Sequence, residues 1–441
     1  MALSPPRERK HSKLIPLLSI FFSLWIILLL LSFPSPSSPP PPPTSQCPQD
    51  MPKFYIYNLP SNFNDHLLHH CDSLNIYTNM CPYVSNEGLG RQLSGKSSSW
   101  FVTHQFLAEM VFHARALRHP CRTLDPTSAN LFHVPFYAGL YASSHFRTAN
   151  LTLRDELAVT FSDYLTRQPH WHRHHGRDHF IVIGRTAWDF MRNDDSTADF
   201  GANRLLLLPE IKNMTVLTVE RQPWAGRNQY GIPYPSYFHP RNRSELTSWQ
   251  ELVRKSNRTH LFSFVGGSRP ASNQMAAVRG EILKQCNASA QCLQVECEAG
   301  SSRCYEPDRV LNVMMKAEFC LQPPGDSFTR RSVFDSILAG CVPVFFSEHT
   351  AYTQYKWYMP NRTQDWSVFL GSDQWIRIEE ELGKIPKIQI QQMRIQIIDL
   401  IPSMTYAHPD VVHGDEVGFR DAVDVALVEL NRLVWSGRKP V

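Results

Sequence analysis

Cys320-Leu321-Gln322-Pro323-Pro324-Gly325-Asp326-Ser327-Phe328-Thr329-Arg330-Arg331-Ser332-Val333-Phe334-Asp335-Ser336-Ile337-Leu338-Ala339-Gly340-Cys341-Val342-Pro343-Val344 reads as a strand, a Pro/Gly turn, a helix and a second strand. The spacing predicts a helix over 327–339, capped by Asp326 or Ser327. The N–H groups and dipole at such an end suit a phosphate. Arg330 and Arg331 add fixed positive charge in a fork that matches phosphate oxygens. Asp335, two turns along, could accept hydrogen bonds from sugar or ribose hydroxyls. The plainer reading is an ordinary strand–helix–strand unit with a surface arginine pair. A second turn, Val265-Gly266-Gly267-Ser268-Arg269, follows the strand at 261–265. Its glycines let backbone approach a diphosphate, which Arg269 could neutralise. Two such turns together point to a ligand outside the carboxyl ends of parallel strands.

Outward from this unit the same alternation continues. Apolar runs at 54–57, 131–134, 179–183, 215–219, 261–265, 317–321 and 342–346 read as strands. Helical spacing falls between them, at 100–118, 151–167 and 307–315. Strands alternating with helices imply parallel sheets. The loop at 222–243, rich in Pro, Tyr and Asn, separates two such series. The expected fold is therefore α/β, with two doubly wound domains facing each other, over 51–245 and 246–441. In the first, Gly184-Arg185-Thr186-Ala187-Trp188-Asp189-Phe190 follows a buried strand. A carboxylate at a strand's carboxyl end is placed to act as a general base, which makes Asp189 the first candidate and Glu220 the second. Either could instead be structural, as a helix cap is. His133, Tyr137 and Arg185 are the further candidates on this side. The histidines at 170, 172, 174, 175 and 179 read as a solvated loop rather than a metal site.

The first fifty residues carry a different message. From Leu14 to Phe33 there is no charged residue. About 20 apolar residues span a bilayer core of roughly 30 Å. Arg7, Arg9, Lys10 and Lys13 precede the run, opposed only by Glu8, so the expected topology leaves 1–13 cytosolic and carries the rest across. A cleaved signal peptide would have a shorter core and a small-residue cleavage site. The Pro/Ser stretch from 34 to 50 cannot pack a core and reads as an extended stalk. Asn150, Asn213, Asn242, Asn257, Asn287 and Asn361 each head an N-x-S/T sequon. Ten cysteines in such a chain read as disulfides, with zinc the weaker alternative and the connectivity open. The net charge of +4 is small for 441 residues and gives no case for nucleic-acid binding.

Taken together, these segments resemble the exostosin-like family 47 glycosyltransferases, and within them the plant xyloglucan galactosyltransferase branch. The likeness runs over 53–433. It is carried by Phe54-Tyr55-Ile56-Tyr57-Asn58-Leu59-Pro60, Thr78-Asn79-Met80-Cys81, Val134-Pro135-Phe136-Tyr137-Ala138-Gly139 and Gly176-Arg177-Asp178-His179-Phe180. It continues through Gly184–Phe190, 232–240, 264–270 and 325–344. Gly266-Gly267-Ser268-Arg269 departs from the expected Gly-Ala-Pro-Arg turn but keeps the arginine. The resemblance implies a GT-B fold, two Rossmann-like domains with the active site between them. It also implies inverting transfer from a UDP-sugar, UDP-galactose first and UDP-galacturonic acid as an alternative, onto xylosyl side chains of xyloglucan. The setting it implies is the Golgi membrane, with other cell-wall transferases as candidate partners. No D-x-D pair occurs in the chain, so no metal cofactor is expected; arginines would stabilise the leaving diphosphate. A non-catalytic lumenal scaffold is the competing reading. A hydrolase would call for two facing carboxylates, of which the sequence offers no clear pair.

Overall fold

A computed structural model of the chain describes residues 47–193, 201–270, 273, 277–297, 302–411 and 418–435. The apolar run at 14–33 and the stalk up to residue 46 lie outside the described residues. Among those described, no helix is long and apolar enough to cross a membrane.

Six strands form the first sheet: β1 (Phe54–Ile56), β2 (Arg122–Thr123), β3 (Leu131–His133), β4 (His179–Thr186), β5 (Thr215–Glu220) and β6 (Gln229–Gly231). Their order is β2-β1-β3-β4-β5-β6, and all pairings are parallel. The second sheet holds β7 (His260–Gly266), β8 (Cys292–Glu296), β9 (Ala317–Gln322), β10 (Val342–Phe345) and β11 (Val368–Phe369). It runs β11-β10-β9-β7-β8, again wholly parallel. Runs such as Phe180-Ile181-Val182-Ile183 are buried throughout, as strands covered on both faces must be. In each sheet the chain steps first to one side, from β1 to β2 and from β7 to β8, and then returns to the other. Each sheet therefore has a switch point, between β1 and β3 and between β7 and β9, where doubly wound folds open a crevice.

The principal helices are α1 (Ala108–Leu117), α2 (Ala138–Ser144), α3 (Leu151–Thr166), α4 (Arg243–Lys255), α5 (Val278–Ala288), α6 (Pro307–Met314), α7 (Ser332–Leu338), α8 (Lys387–Met404) and α9 (Ala422–Trp435). The helix expected over 100–118 begins only at Ala108. Trp100 and Phe101 are committed to bridges with Phe238 and Gln92, and the Thr103 hydroxyl bonds the Leu89 carbonyl and His239. Helix α1 carries Glu109, whose buried carboxyl accepts from the N–H groups of Gly139, Leu140 and Gly184. Burial pushes its pKa up to about 7 against the pull of those three bonds. The glycine at 184 is required: a Cβ there would lie 2.4 Å from the Phe106 carbonyl oxygen. Glu109 thus fixes the start of α2 and the irregular end of β4 together.

Two connections depart from the expected boundary at 245/246. Helix α4 spans it and bonds to the second half through Gln250, which donates to the Ile398 carbonyl in α8. Helix α9 returns to the first half. Arg115 in α1 meets Asp421 at 2.9 Å, both side chains 1% exposed, and His119 donates to Asp424 at 2.8 Å. Asp421 also accepts from the N–H groups of Ala407, Val423 and Asp424. Burial alone would raise the Asp424 carboxyl, but the His119 hydrogen bond and the Arg115 charge hold it below the usual carboxylate range.

All ten cysteines are paired: Cys47–Cys121, Cys71–Cys81, Cys286–Cys292, Cys297–Cys304 and Cys320–Cys341. The first staples the end of the predicted stalk to the head, so the stalk read over 34–50 is tied down from Cys47 onward. Cross-links of this kind act largely by restricting the unfolded chain.

Replacing Arg115 with Met should leave Asp421 and Asp424 buried without their cation. The expected cost is about 3–5 kcal/mol, read as an earlier thermal transition. A melting temperature equal to that of the parent would show that the return of α9 does not depend on this pair.

Candidate functional site

The carboxyl ends of β7, β8 and β9 open onto a cleft of about 1000 Å³. It lies at the switch point of the second sheet and is roofed by Tyr77, Thr78, Tyr83, Gln105, Phe106, Thr186 and Tyr234 from the first half. Both glycine turns predicted from the sequence line it: Gly266, Gly267 and Arg269 from one, and Gly325, Asp326 and Ser327 from the other, followed by Arg330, Arg331 and Asp335.

The turns are held by an arginine that sequence reasoning missed. Arg279, in the first turn of α5, donates to the Pro324 carbonyl at 2.7 Å and to the Gly267 carbonyl at 3.2 Å. A Cβ on Gly325 would sit 2.5 Å from its Nη2, and a Cβ on Gly267 would sit 2.1 Å from the Cys297 carbonyl oxygen. Arg330 donates to the carbonyls of Pro323 and Val265 and lies over the Phe264 ring. Arg269 is half-buried and pairs with the exposed Asp326 at 2.8 Å. Three guanidinium groups thus share one end of the cleft, and burial and mutual repulsion perturb the ionisation of two. Burial, then the Arg269 charge, lowers Arg279 to about 10, and burial with the charges of Arg279 and Arg269 depresses Arg330 well below the usual arginine range. Like charges gathered this closely gain when an anion enters, and arginine forks match phosphate oxygens.

The helix expected over 327–339 starts at Ser332 instead. The N–H groups of Phe328 and Thr329 are taken by Glu220, as is the Thr329 hydroxyl, at 3.3, 2.7 and 2.6 Å. Neither Asp326 nor Ser327 caps the helix, so the anion site is made by side chains rather than by a helix terminus. Arg331 and Asp335 do not face a ligand freely either. They form a buried pair at 3.3 Å, in which Arg331 also donates to the Thr103 carbonyl and the Tyr237 hydroxyl, while Asp335 accepts from Ser236 at 2.6 Å.

The carboxyl groups expected to supply a base are placed otherwise. Glu220 is fully buried and accepts, besides the three bonds above, one from the Trp188 indole at 2.9 Å. It clamps the first half to the second. Asp189 is 3% exposed and pairs with Arg185 at 2.6 Å, whose guanidinium also reaches Ser143. Neither Asp189 nor Glu220 lines the cleft. His133 is buried against Phe180 and Phe112, and Tyr137 is buried against His113, so these two and Arg185 are packing and pairing residues behind the cleft wall. Glu296, at the end of β8 beside Gly266, is an exposed carboxyl in the cleft lining that sequence reasoning passed over. Its position as the last residue of an edge strand was the available signal.

All six sequon asparagines are exposed. Asn150 and Asn242 cap α3 and α4, accepting from the N–H groups of Leu153 and Glu245 through the side-chain oxygen. That leaves the amide nitrogen, the atom a glycan would use, pointing away from the cap bond.

If Asp189 and Glu220 are structural, Asp189→Asn and Glu220→Gln should each lower the melting temperature. Loss of one partner of a buried, bonded pair costs about 3 kcal/mol. Nucleotide binding by the folded fraction should persist. A variant that melts like the parent yet has lost all activity would return that residue to the reacting groups.

Residues 48–380 match the Exostosin GT47 domain. The chain is 52% identical over 427 residues to the probable xyloglucan galactosyltransferase GT17 of Arabidopsis thaliana, covering 97% of this chain and 92% of that relative. It is 41% identical over 382 residues to the xyloglucan galactosyltransferase MUR3 of the same plant, covering 85% of this chain and 61% of the longer relative. With the xyloglucan galactosyltransferase XLT2, also from A. thaliana, it shares 39% identity over 396 residues, covering 86% and 74%. Among solved structures, the GtfA/B complex aligns over 64% of this chain and 60% of its own at 10% identity and a TM-score of 0.29, a likeness that carries no argument.

Proposed function

The chain belongs to the exostosin GT47 family and is a glycosyltransferase; on that premise we propose that it moves galactose from UDP-galactose onto xylosyl side chains of xyloglucan, with inversion. The observation that carries the reading is the cluster of Arg269, Arg279 and Arg330 at the switch point of the second sheet. The names of the relatives support the acceptor and the sugar.

In this reading the acceptor hydroxyl attacks the anomeric carbon once, on the face opposite the departing UDP. The anomeric carbon–oxygen bond breaks as the new one forms, which inverts the centre, and the hydroxyl proton is released to water in the open cleft. Charge gathers on the diphosphate, where the three guanidinium groups already stand. Donors fixed in advance are the most effective stabilisers of developing charge. They supply what a divalent ion would otherwise supply, so the proposed reaction needs no metal. Gly266, Gly267 and Gly325 let Phe264, the Cys297 carbonyl and Arg279 pack against the two turns that shape the cleft, and Glu296 is placed to accept from the ribose hydroxyls.

The proposed setting is the Golgi membrane, with the head in the lumen behind the apolar run at 14–33. Five disulfides and six exposed sequons support that side of the membrane.

Membranes carrying the full-length chain should transfer galactose, with release of UDP, to xyloglucan stripped of its galactose. Transfer from UDP-galacturonic acid in place of UDP-galactose would move the donor assignment, and no transfer from either would overturn the reading. Arg269→Ala should raise the Michaelis constant for the donor about tenfold or more, since hydrogen bonds to charged groups are worth about 1.5–3 kcal/mol. An unchanged constant would remove Arg269 from the diphosphate site. Peptide N-glycosidase should increase the electrophoretic mobility of the protein expressed in plant cells; a protein it leaves unaltered would count against the lumenal placement.

A further inference from the structure

Beside the cleft, an indole is held in water by a loop that does not need it. Trp224 is 65% exposed. Its loop is fixed by polar bonds: the N–H groups of Trp224 and Ala225 donate to the Gln222 side-chain oxygen, and the Gln222 N–H donates to Gln229. Arg221 then ties the loop from below, donating to the carbonyls of Gln229, Gly226 and Thr353, each at 3.1 Å. An apolar side chain exposed singly needs no explanation, whereas exposed apolar groups gathered beside a cleft mark an interaction surface.

Trp224 also has company. Trp188 lies 6.0 Å away, Phe328 5.8 Å and His349 5.4 Å, and Phe328 and His349 are 5.1 Å apart. Trp188 and Trp224 come from the first half of the chain, Phe328 and His349 from the second. The group is continuous with the cleft. Phe328 stands between Ser327 and Thr329, and Trp188 follows two residues after Thr186, all three of which line it. Trp188 is anchored through its indole N–H to Glu220, the same group that holds Phe328 and Thr329.

We propose that Trp224, with Trp188, Phe328 and His349, forms a stacking platform for the backbone of the polysaccharide acceptor, next to the cleft where its side chain reacts. The proposal rests on the transferase reading. The occupant is an uncharged β-linked glucan. In such a chain the hydroxyls are equatorial, so each sugar ring presents a face of C–H groups that packs against an indole and loses little hydration. No aspartate, glutamate, lysine or arginine belongs to the platform, which suits a neutral polymer. An acceptor that is long compared with the reacting sugar must rest on protein outside the cleft, and this surface is contiguous with it. A bilayer or a protein partner would also value exposed indole; both are outcomes of the test.

The experiment uses the full-length chain and two acceptors, xyloglucan polymer and a single xylosylated repeat oligosaccharide. Trp224→Ala should raise the Michaelis constant for the polymer about tenfold, the scale of one lost aromatic contact. The constant for UDP-galactose, the turnover number and the melting temperature should stay where they are, and Trp224→Tyr should recover part of the loss. Retardation in a gel containing soluble β-glucan gives a readout that needs no catalysis. Retardation lost in Trp224→Ala supports the platform even if no donor is transferred, which would sink the transferase reading alone. Unchanged polymer kinetics and unchanged retardation overturn the platform while leaving transfer intact. The platform is equally overturned if Trp224→Ala alters only binding to phosphatidylcholine vesicles or only co-purification of a protein.

Discussion

One buried carboxyl group organises the meeting of the two sheets. Glu220, at the end of β5, accepts four hydrogen bonds: from the Trp188 indole, the N–H groups of Phe328 and Thr329, and the Thr329 hydroxyl. A buried acceptor left without donors costs far more than one exposed to water, so this group fixes where the turn after β9 can lie. With the turn in place, Arg331 and Asp335 come up against Thr103, Ser236 and Tyr237 of the first half and bury their charges there. The same clamp keeps Phe328 and Thr329 out of the helix, which lengthens the turn and leaves Gly325 to Arg330 free to shape the cleft. A functional surface is thus made out of backbone that a longer helix would have used up.

The alternation of apolar runs with helical spacing was enough to read two parallel sheets, and the glycines at 266, 267 and 325 lie at the switch point of the second sheet. These features are local: a strand needs only its own side chains, and a close approach needs only the missing Cβ. What was illegible depended on partners far along the chain. Asp189 and Glu220 end strands in the way a general base would, and the sequence around them is the same whether they face substrate or clamp a turn. Glu220 is distinguished only by its bonds to residues 108 and 109 positions later. Arg279 was missed for a related reason. An arginine in the first turn of a helix is ordinary until the two glycine turns fold under it. The start of α7 was misplaced because a non-local acceptor outbid the helix for two N–H groups, and helix propensity is a weak prior against such a bond.

The clustering of cations carries a cost that the fold accepts. Arg279 and Arg330 lose hydration and repel each other and Arg269, which is why the ionisation of both is depressed. They remain in place because carbonyl groups of Pro323, Pro324, Val265 and Gly267 accept from them. Those same bonds hold the two turns in shape, so the arginines are both the positive field of the site and its scaffold. Perturbed ionisation of this kind gathers where a protein does chemistry, because a group paired to satisfaction in the empty site would have little left to offer a ligand.

Charge balance across the lining also bears on the donor. The cleft is lined by four guanidinium groups, of Arg269, Arg279, Arg330 and Arg331, and by three carboxyl groups, of Glu296, Asp326 and Asp335. Arg331 is already committed to Asp335, and Arg269 to Asp326. A diphosphate draws on the cluster and meets a formal surplus of one positive charge, with Asp326 free to swing away because it is largely exposed. A uronic acid would bring a further carboxylate into the same space, beside Glu296, with no additional cation among the described lining residues to receive it. Like charges placed together in a partly desolvated site repel strongly. A neutral hexose avoids that repulsion, which accords with the galactose donor proposed above.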